Sequence, residues 1–129
     1  MTNEGSSTVR VFSSFEEFWP FYLSEHMNRT NRRWHFAGTT LSFLLLAVAL
    51  LTPSLLALAL APVPGYLFAW VGHFGFEKNV PASFRYPLLS FRGDLYTYWR
   101  TLLGKLDDDY SRHWVKVVAH RRRSERRAA

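Results

Sequence analysis

Residues 36–76 read FAGTTLSFLLLAVALLTPSLLALALAPVPGYLFAWVGHFGF, and no Lys, Arg, Asp or Glu occurs anywhere from Trp34 to Phe76. All 16 basic and 10 acidic residues of the 129-residue chain lie outside that stretch. A helix crosses a hydrocarbon core about 30 Å thick with roughly 20 apolar residues, each rising about 1.5 Å. The stretch is too long for one crossing and suits two. Thr52-Pro53-Ser54 carries the strongest turn signal, because Pro53 has no N–H to donate and disfavours helix at Thr52. The spacing therefore predicts membrane spans over about residues 31–51 and 55–77, folded back as a hairpin. Pro62, Pro64 and Gly65 should kink or break the second span near mid-depth. A turn at residues 62–65 instead would leave only about a dozen residues for the second crossing, too few to span.

Outward from this block the chain reads as all-α. Residues 1–12 are polar and loose, residues 13–106 form one membrane-embedded helical domain, and residues 107–129 make a charged tail. Ser14-Phe15-Glu16-Glu17 is a capping box, and the helix it starts carries Phe15, Phe18, Trp19, Tyr22 and His26 on roughly one face. Pro20 should kink that helix or mark its true start. An aromatic stripe of this kind suits the membrane interface. After Pro87 a second amphipathic helix is expected from about Gly93 to Leu106. The net charge of +6 could suggest nucleic acid, but much of the excess flanks the apolar block (Arg29, Arg32, Arg33, Lys78, Arg85) or sits in the tail. Membrane-flanking charge explains that placement better, and no nucleic-acid motif is present. Basic residues at both outer ends and none in the turn put both termini in the cytoplasm by the positive-inside rule. The first twelve residues lack a cleaved-signal pattern, so the hairpin itself should direct insertion. There is no Cys, which removes disulfides, thiolate zinc sites and iron–sulfur clusters. Gly-rich phosphate loops, nucleophile elbows and HExxH motifs are absent too.

Three of the five histidines are placed informatively. Position 54, in the predicted turn, is midway between His35 and His73. Residues equidistant from the turn of an antiparallel hairpin share a depth. His35 and His73 should therefore face each other roughly 28 Å of helix from the turn, near the cytoplasmic boundary. Glu77 follows His73 by one helical turn on the same face. A break between Asn28 and Arg33 would let the first helix fold back and bring His26 to the same point. Imidazole nitrogens with a carboxylate suit iron, zinc, copper or nickel. A lone interfacial histidine is commonly a hydrogen-bonding anchor; three converging with Glu77 favour a metal site. His113 and His120 lie in a basic segment and read as solvated surface. Asp94 either supports the site from outside the ligand set or caps the last helix; spacing favours the cap. Asn79, Pro81, Ala82 and Pro87 read as an extended segment.

Glu25-His26, residues 30–39 (TNRRWHFAGT) and residues 65–82 (GYLFAWVGHFGFEKNVPA), continued by Tyr86-Pro87-Leu88 and Gly93-Asp94, resemble a family of small membrane proteins. Its fungal members include the endoplasmic-reticulum 2-hydroxy-fatty-acid dioxygenase of phytosphingosine breakdown. The resemblance covers about residues 12–106. It implies an Fe(II)-dependent dioxygenase that shortens a 2-hydroxy fatty acid by one carbon, with the essential histidines at His26, His35 and His73. This chain is shorter than the fungal enzymes and has a single apolar hairpin.

The leading expectation is thus a membrane-embedded iron oxygenase acting on a lipid-derived 2-hydroxy acid. His26, His35 and His73 would bind Fe(II), with Glu77 a fourth ligand or an orienting partner. The acyl chain would enter between the spans past Trp34, Phe36, Trp70 and Phe74. Arg32, Arg33 or Lys78 would steady the carboxylate, with Trp70 and Asn79 also at the substrate. The expected setting is a bacterial inner membrane or the endoplasmic reticulum, and two spans alone offer so little enclosing surface that a homodimer is one arrangement. The competing expectations are a non-enzymatic membrane scaffold or lipid sensor working through its interfacial helices and basic tail, and a zinc hydrolase.

Overall fold

The computed structural model describes residues 11–129, so the expected loose segment 1–12 lies outside it except for its last two residues. Every regular element among the described residues is helical. α1 spans Phe15–Ser24, α2 Arg29–Leu51, α3 Leu55–Leu60 and α4 Val63–Trp70, and α4 runs directly into a π-helical segment, Val71–Glu77. A 3₁₀ turn at Ala82–Phe84 leads to α5, Pro87–Leu102, and then to α6, Leu106–Ala128.

The hairpin turns where expected. The N–H and Oγ1 of Thr52 both donate to the Val48 carbonyl, at 2.9 and 2.6 Å, closing α2. Ser54 opens α3 by accepting from the Ala57 N–H at 3.1 Å. The return leg breaks at Ala61-Pro62, between α3 and α4, where Pro62 has no N–H to continue the ladder. Small residues bring the legs together. A Cβ on Gly38 would sit 2.5 Å from the Phe68 Cβ and 2.8 Å from the Pro64 carbonyl, so only glycine allows α2 and α4 this close. The Gly65 N–H donates across the hairpin to Ser42 Oγ at 2.9 Å.

Both legs are long and apolar enough to span a membrane, and only 17% and 11% of their most apolar windows are buried within the protein. The core helix of a water-soluble protein would be mostly covered. These outward faces have hydrocarbon as their natural solvent, which supports membrane association.

The remaining helices form a cap on the open end of the hairpin. Phe18, Trp19, Tyr22 and Leu23 of α1 and Val117 of α6 make one buried cluster. Ser14 caps α1 as expected, its Oγ accepting from the Glu17 N–H at 3.3 Å, and Glu17 Oε2 reaches back one residue past the cap to accept from the Ser13 N–H at 3.2 Å. Pro20 lies inside α1 without ending it.

Three expectations need correcting. The aromatic stripe of α1 is buried against α5 and α6 and does not face the membrane interface. Residues 107–129, read as a charged tail, form nearly all of α6, whose acidic first turn and basic last turn both complement the helix dipole. That extra helix is the packing partner the stripe needed. Finally, α5 begins at Pro87 and not near Gly93, because proline's fixed φ suits the first helical position. Asp94 therefore sits two turns inside α5 and caps nothing.

Candidate metal centre

A tight reversal after α1 brings the three histidines together. Asn28 caps α2, its side-chain oxygen accepting from the N–H groups of Thr30 (2.8 Å) and Asn31 (3.2 Å). The chain between α1 and α2 thereby turns back on itself, placing His26 over His35. His73 arrives from the π-helical segment, whose widened turns put both His73 and Glu77 on the buried side. The ring centroids are 4.7 Å apart for His26 and His35, 4.6 Å for His26 and His73, and 4.9 Å for His35 and His73. One nitrogen from each buried ring lies within 4.8 Å of the others.

The neighbours determine which nitrogen that is. His26 Nδ1 lies 2.7 Å from the Tyr22 carbonyl, which can only accept, so Nδ1 carries the proton. His73 Nδ1 lies 2.7 Å from Asn79 Oδ1. The Asn79 amide nitrogen donates to the Glu25 carbonyl (3.0 Å) and to Glu25 Oε2 (2.7 Å), so its oxygen must face the imidazole and Nδ1 again donates. His26 and His73 thus each keep an unprotonated Nε2. His35 Nδ1 is 3.8 Å from Asp94 Oδ1, longer than a hydrogen bond. The Nε2 atoms of His26 and His35 are buried with no hydrogen-bond partner. Each such atom costs about 1–3 kcal/mol, and a single cation among the rings would satisfy them together. Burial, then repulsion from His73 and His35, holds His26 well below the usual imidazole range, so it stays in the neutral form that ligates metal. The residues fit a divalent ion; three imidazoles by themselves suit iron, zinc, copper or nickel.

Several groups support the rings; Asp94 is a candidate that the sequence itself offers, whereas Tyr22 carries only a weak sequence signal. The Tyr22 ring stacks on His26 at 4.0 Å, and its hydroxyl donates to Asp94 Oδ1 at 2.6 Å. Gly93 makes this crossing possible, since a Cβ there would lie 2.6 Å from the Tyr22 ring. Burial pushes the Asp94 carboxyl up to about 7, against the opposing bond from Tyr22. Burial also raises Glu25, whose other oxygen accepts from Ser124 Oγ of α6 at 3.1 Å. The one sequence hint at Tyr22 was its place in the aromatic stripe, four residues before His26.

The other candidates are distributed as follows. Both oxygens of Glu77 are engaged away from the rings. Oε2 accepts from the Asn28 N–H (2.8 Å) and from Asn31 Nδ2 (3.2 Å), and Oε1 pairs with Arg121 of α6 at 3.0 Å. Arg32 donates to the His26 and Met27 carbonyls, each at 2.8 Å, and lies over the Tyr110 ring. Arg33 and Lys78 are exposed, and Trp70 packs on Phe84. Lys78 is the one non-glycine among the described residues with a left-handed backbone, φ 61°, and this reversal returns Asn79 to His73.

A cavity of about 300 Å³ is lined by all three histidines, Asp94, Thr39 and Ala69, within the size range of small-molecule sites. Arg32, Arg33, Trp70, Lys78 and Asn79 do not line it, nor do Trp34, Phe36 and Phe74.

Comparison with curated proteins and with solved structures gives no match. Comparison with protein families matches residues 12–106 to the family described as 2-hydroxy-palmitic acid dioxygenase Mpo1-like. The match takes in the hairpin, the three histidines, Asn79 and Asp94, and stops where α6 begins. Most of the chain is thus accounted for, and the protein belongs to the Mpo1-like family.

Proposed function

We propose that this protein is a membrane-embedded Fe(II)-dependent dioxygenase that shortens a 2-hydroxy fatty acid by one carbon. The observation that carries the reading is the convergence of three buried imidazoles, two with their proton-bearing nitrogen fixed, on a cavity otherwise walled largely by apolar side chains. The dioxygenase name of the family favours iron among the metals that this donor set accepts. The reaction balances with one O₂: R–CH(OH)–COOH + O₂ → R–COOH + CO₂ + H₂O. The C1–C2 bond breaks, C1 leaves as CO₂, and the four electrons lost by C1 and C2 reduce O₂.

His26, His35 and His73 would hold the ion. When bound, it supplies O₂ activation and a positive charge for the substrate's carboxylate and 2-hydroxyl. Asp94 stands in the cavity wall beside His35 and can exchange a proton with a substrate hydroxyl near neutral pH. Tyr22 holds that carboxyl in place. Glu77 acts on the scaffold, tying the π-helical segment to the start of α2 and to α6. The apolar walls exclude water and receive the alkyl chain. Basic residues flanking both outer ends of the hairpin support cytoplasmic termini.

The test is purification in detergent, anaerobic loading with ferrous iron, and addition of O₂ with 2-hydroxyhexadecanoic acid. The expected result is stoichiometric iron, O₂ uptake and pentadecanoic acid, with His35→Ala and His73→Ala losing iron and turnover while remaining helical. A folded protein that takes up no iron would overturn the reading. Turnover of an ester or amide by the zinc-loaded protein without O₂ would replace it with a hydrolase.

A further inference from the structure

The cavity extends well beyond the histidines. On α2 its wall is Thr39, Phe43 and Leu46, which follow His35 by four, eight and eleven residues. On the return leg it is Ala69, Gly65 and Pro62, which precede His73 by the same steps. Each set lies along the helix face of its histidine, so the two faces form one groove running from the metal centre toward the hairpin turn. Eleven residues of helix make it about 16 Å deep, the reach of a long acyl chain. Leu58 and the buried Ala61 close its far end, at the break in the return leg.

The groove is open along one side. Phe43, Leu58 and Tyr66 on the hairpin and Phe91 on α5 all line it, yet are 42%, 48%, 46% and 52% exposed. The same exposed surface continues over the outer faces of both spans and along α5 through Leu88, Leu95 and Trp99. The opening is therefore part of the apolar surface that lies in the bilayer. No Lys or Arg lines the groove, which suits an alkyl chain and leaves the acid head to the histidine end.

We propose that this groove seats one acyl chain, entered sideways from the bilayer between α5 and the hairpin, and that Leu58 and Ala61 limit the chain length it accepts. The proposal rests on the dioxygenase reading for the acid head alone; the groove itself is a feature of the hairpin. Ala61→Phe fills the far end, and Leu58→Ala lengthens it.

The experiment uses the full chain in phosphatidylcholine nanodiscs, with bound cis-parinaric acid displaced by 2-hydroxyoctanoic, 2-hydroxyhexadecanoic or 2-hydroxyicosanoic acid and metal content measured in parallel. Ala61→Phe is expected to lower affinity for the sixteen-carbon acid relative to the eight-carbon acid by about tenfold, a change of about 1.4 kcal/mol. Leu58→Ala should shift preference toward the twenty-carbon acid, and it reads the groove even if Ala61→Phe does not fold. A nitroxide on Phe91→Cys, the sole thiol in a chain without cysteine, should collide with O₂ dissolved in the bilayer more than with an aqueous nickel chelate. Equal effects on all chain lengths, or a label at Phe91→Cys bathed in water, would overturn the groove. A protein without iron that still shows the chain-length shift keeps the groove and loses the dioxygenase reading.

Discussion

The Asn79 amide links a buried carboxylate to a buried imidazole. Its nitrogen serves Glu25 and its oxygen serves His73, and reversing it would set donor against donor at the ring. Asn79→Ala should therefore weaken metal binding by about 10–100-fold, as loss of a ligand's orienting partner generally does. Metal titration of the folded variant checks this, and unchanged affinity would mean that His73 is held by packing alone. Asp94 invites a different measurement. Asp94→Asn keeps an oxygen for the Tyr22 hydroxyl but cannot take a proton, so iron content should persist while kcat falls by about 10²–10⁴-fold. Loss of iron together with activity would assign Asp94 to positioning His35 instead. Of this site, the sequence made His35 and His73 readable, because their symmetry about residue 54 needs only a helical rise and a turn, and the break after Asn28 allowed His26 to join them. It could not make Asn79 readable as their partner, because its return to His73 depends on Lys78 adopting a left-handed backbone that lysine seldom adopts.

Lys78 is informative at the scale of elements. Read from sequence as a cation for the substrate, it lies exposed at the end of the π-helical segment, where its backbone reverses the chain. Lys78→Gly should therefore leave metal binding intact and raise stability by up to about 1 kcal/mol, whereas Lys78→Val should lower it by about 1–2 kcal/mol. Thermal melts with metal titration separate these outcomes; loss of substrate affinity in Lys78→Gly would restore a role for the charge. The hairpin, its turn and the break at Pro62 were legible because length, proline and charge segregation each act locally. The groove was legible in principle but was placed one residue off. Trp34, Phe36 and Phe74 adjoin the histidines and Trp70 adjoins the groove residue Ala69, yet each neighbour along a helix is turned by about 100°. Trp34 instead packs on Phe68 and Phe36 on Tyr98, while the groove uses the smaller residues a full turn away. The motive for a second copy also weakens, since α5 and the hairpin wall the cavity within one chain.

For the whole molecule, the two halves of the fold obey different solvents, and α6 joins them. The hairpin keeps its apolar surface outward, where hydrocarbon suits it, as α5 does with Leu88, Phe91, Leu95 and Trp99, while α1 and α6 bury theirs against each other. α6 lies beyond the family match, yet it reaches the centre's supports at three points. Arg121 pairs with Glu77, Ser124 donates to Glu25, and the Tyr110 hydroxyl donates to the carbonyls of Leu23 and His26 at 3.0 and 2.7 Å. Deleting residues 107–129 should therefore expose the α1 cluster and abolish metal binding, so loss of function on truncation would not favour a scaffold over an enzyme. The single substitution Arg121→Ala is more discriminating. It leaves Glu77, whose side chain is only 1% exposed, with its two amide donors but no cation. Arg121 itself is partly solvated, so the loss should be about 1–3 kcal/mol and less than for a fully enclosed pair. Because Glu77 sits one turn from His73, the π-helical segment should loosen with it. We expect a lower melting temperature that added iron partly restores, since a ligand that binds only the folded state stabilises it by mass action. Arg121→Lys should recover part of the loss, as it restores charge without the planar fork. If Arg121→Ala melts like the parent with and without iron, then α6 packs on α1 without supporting the metal centre.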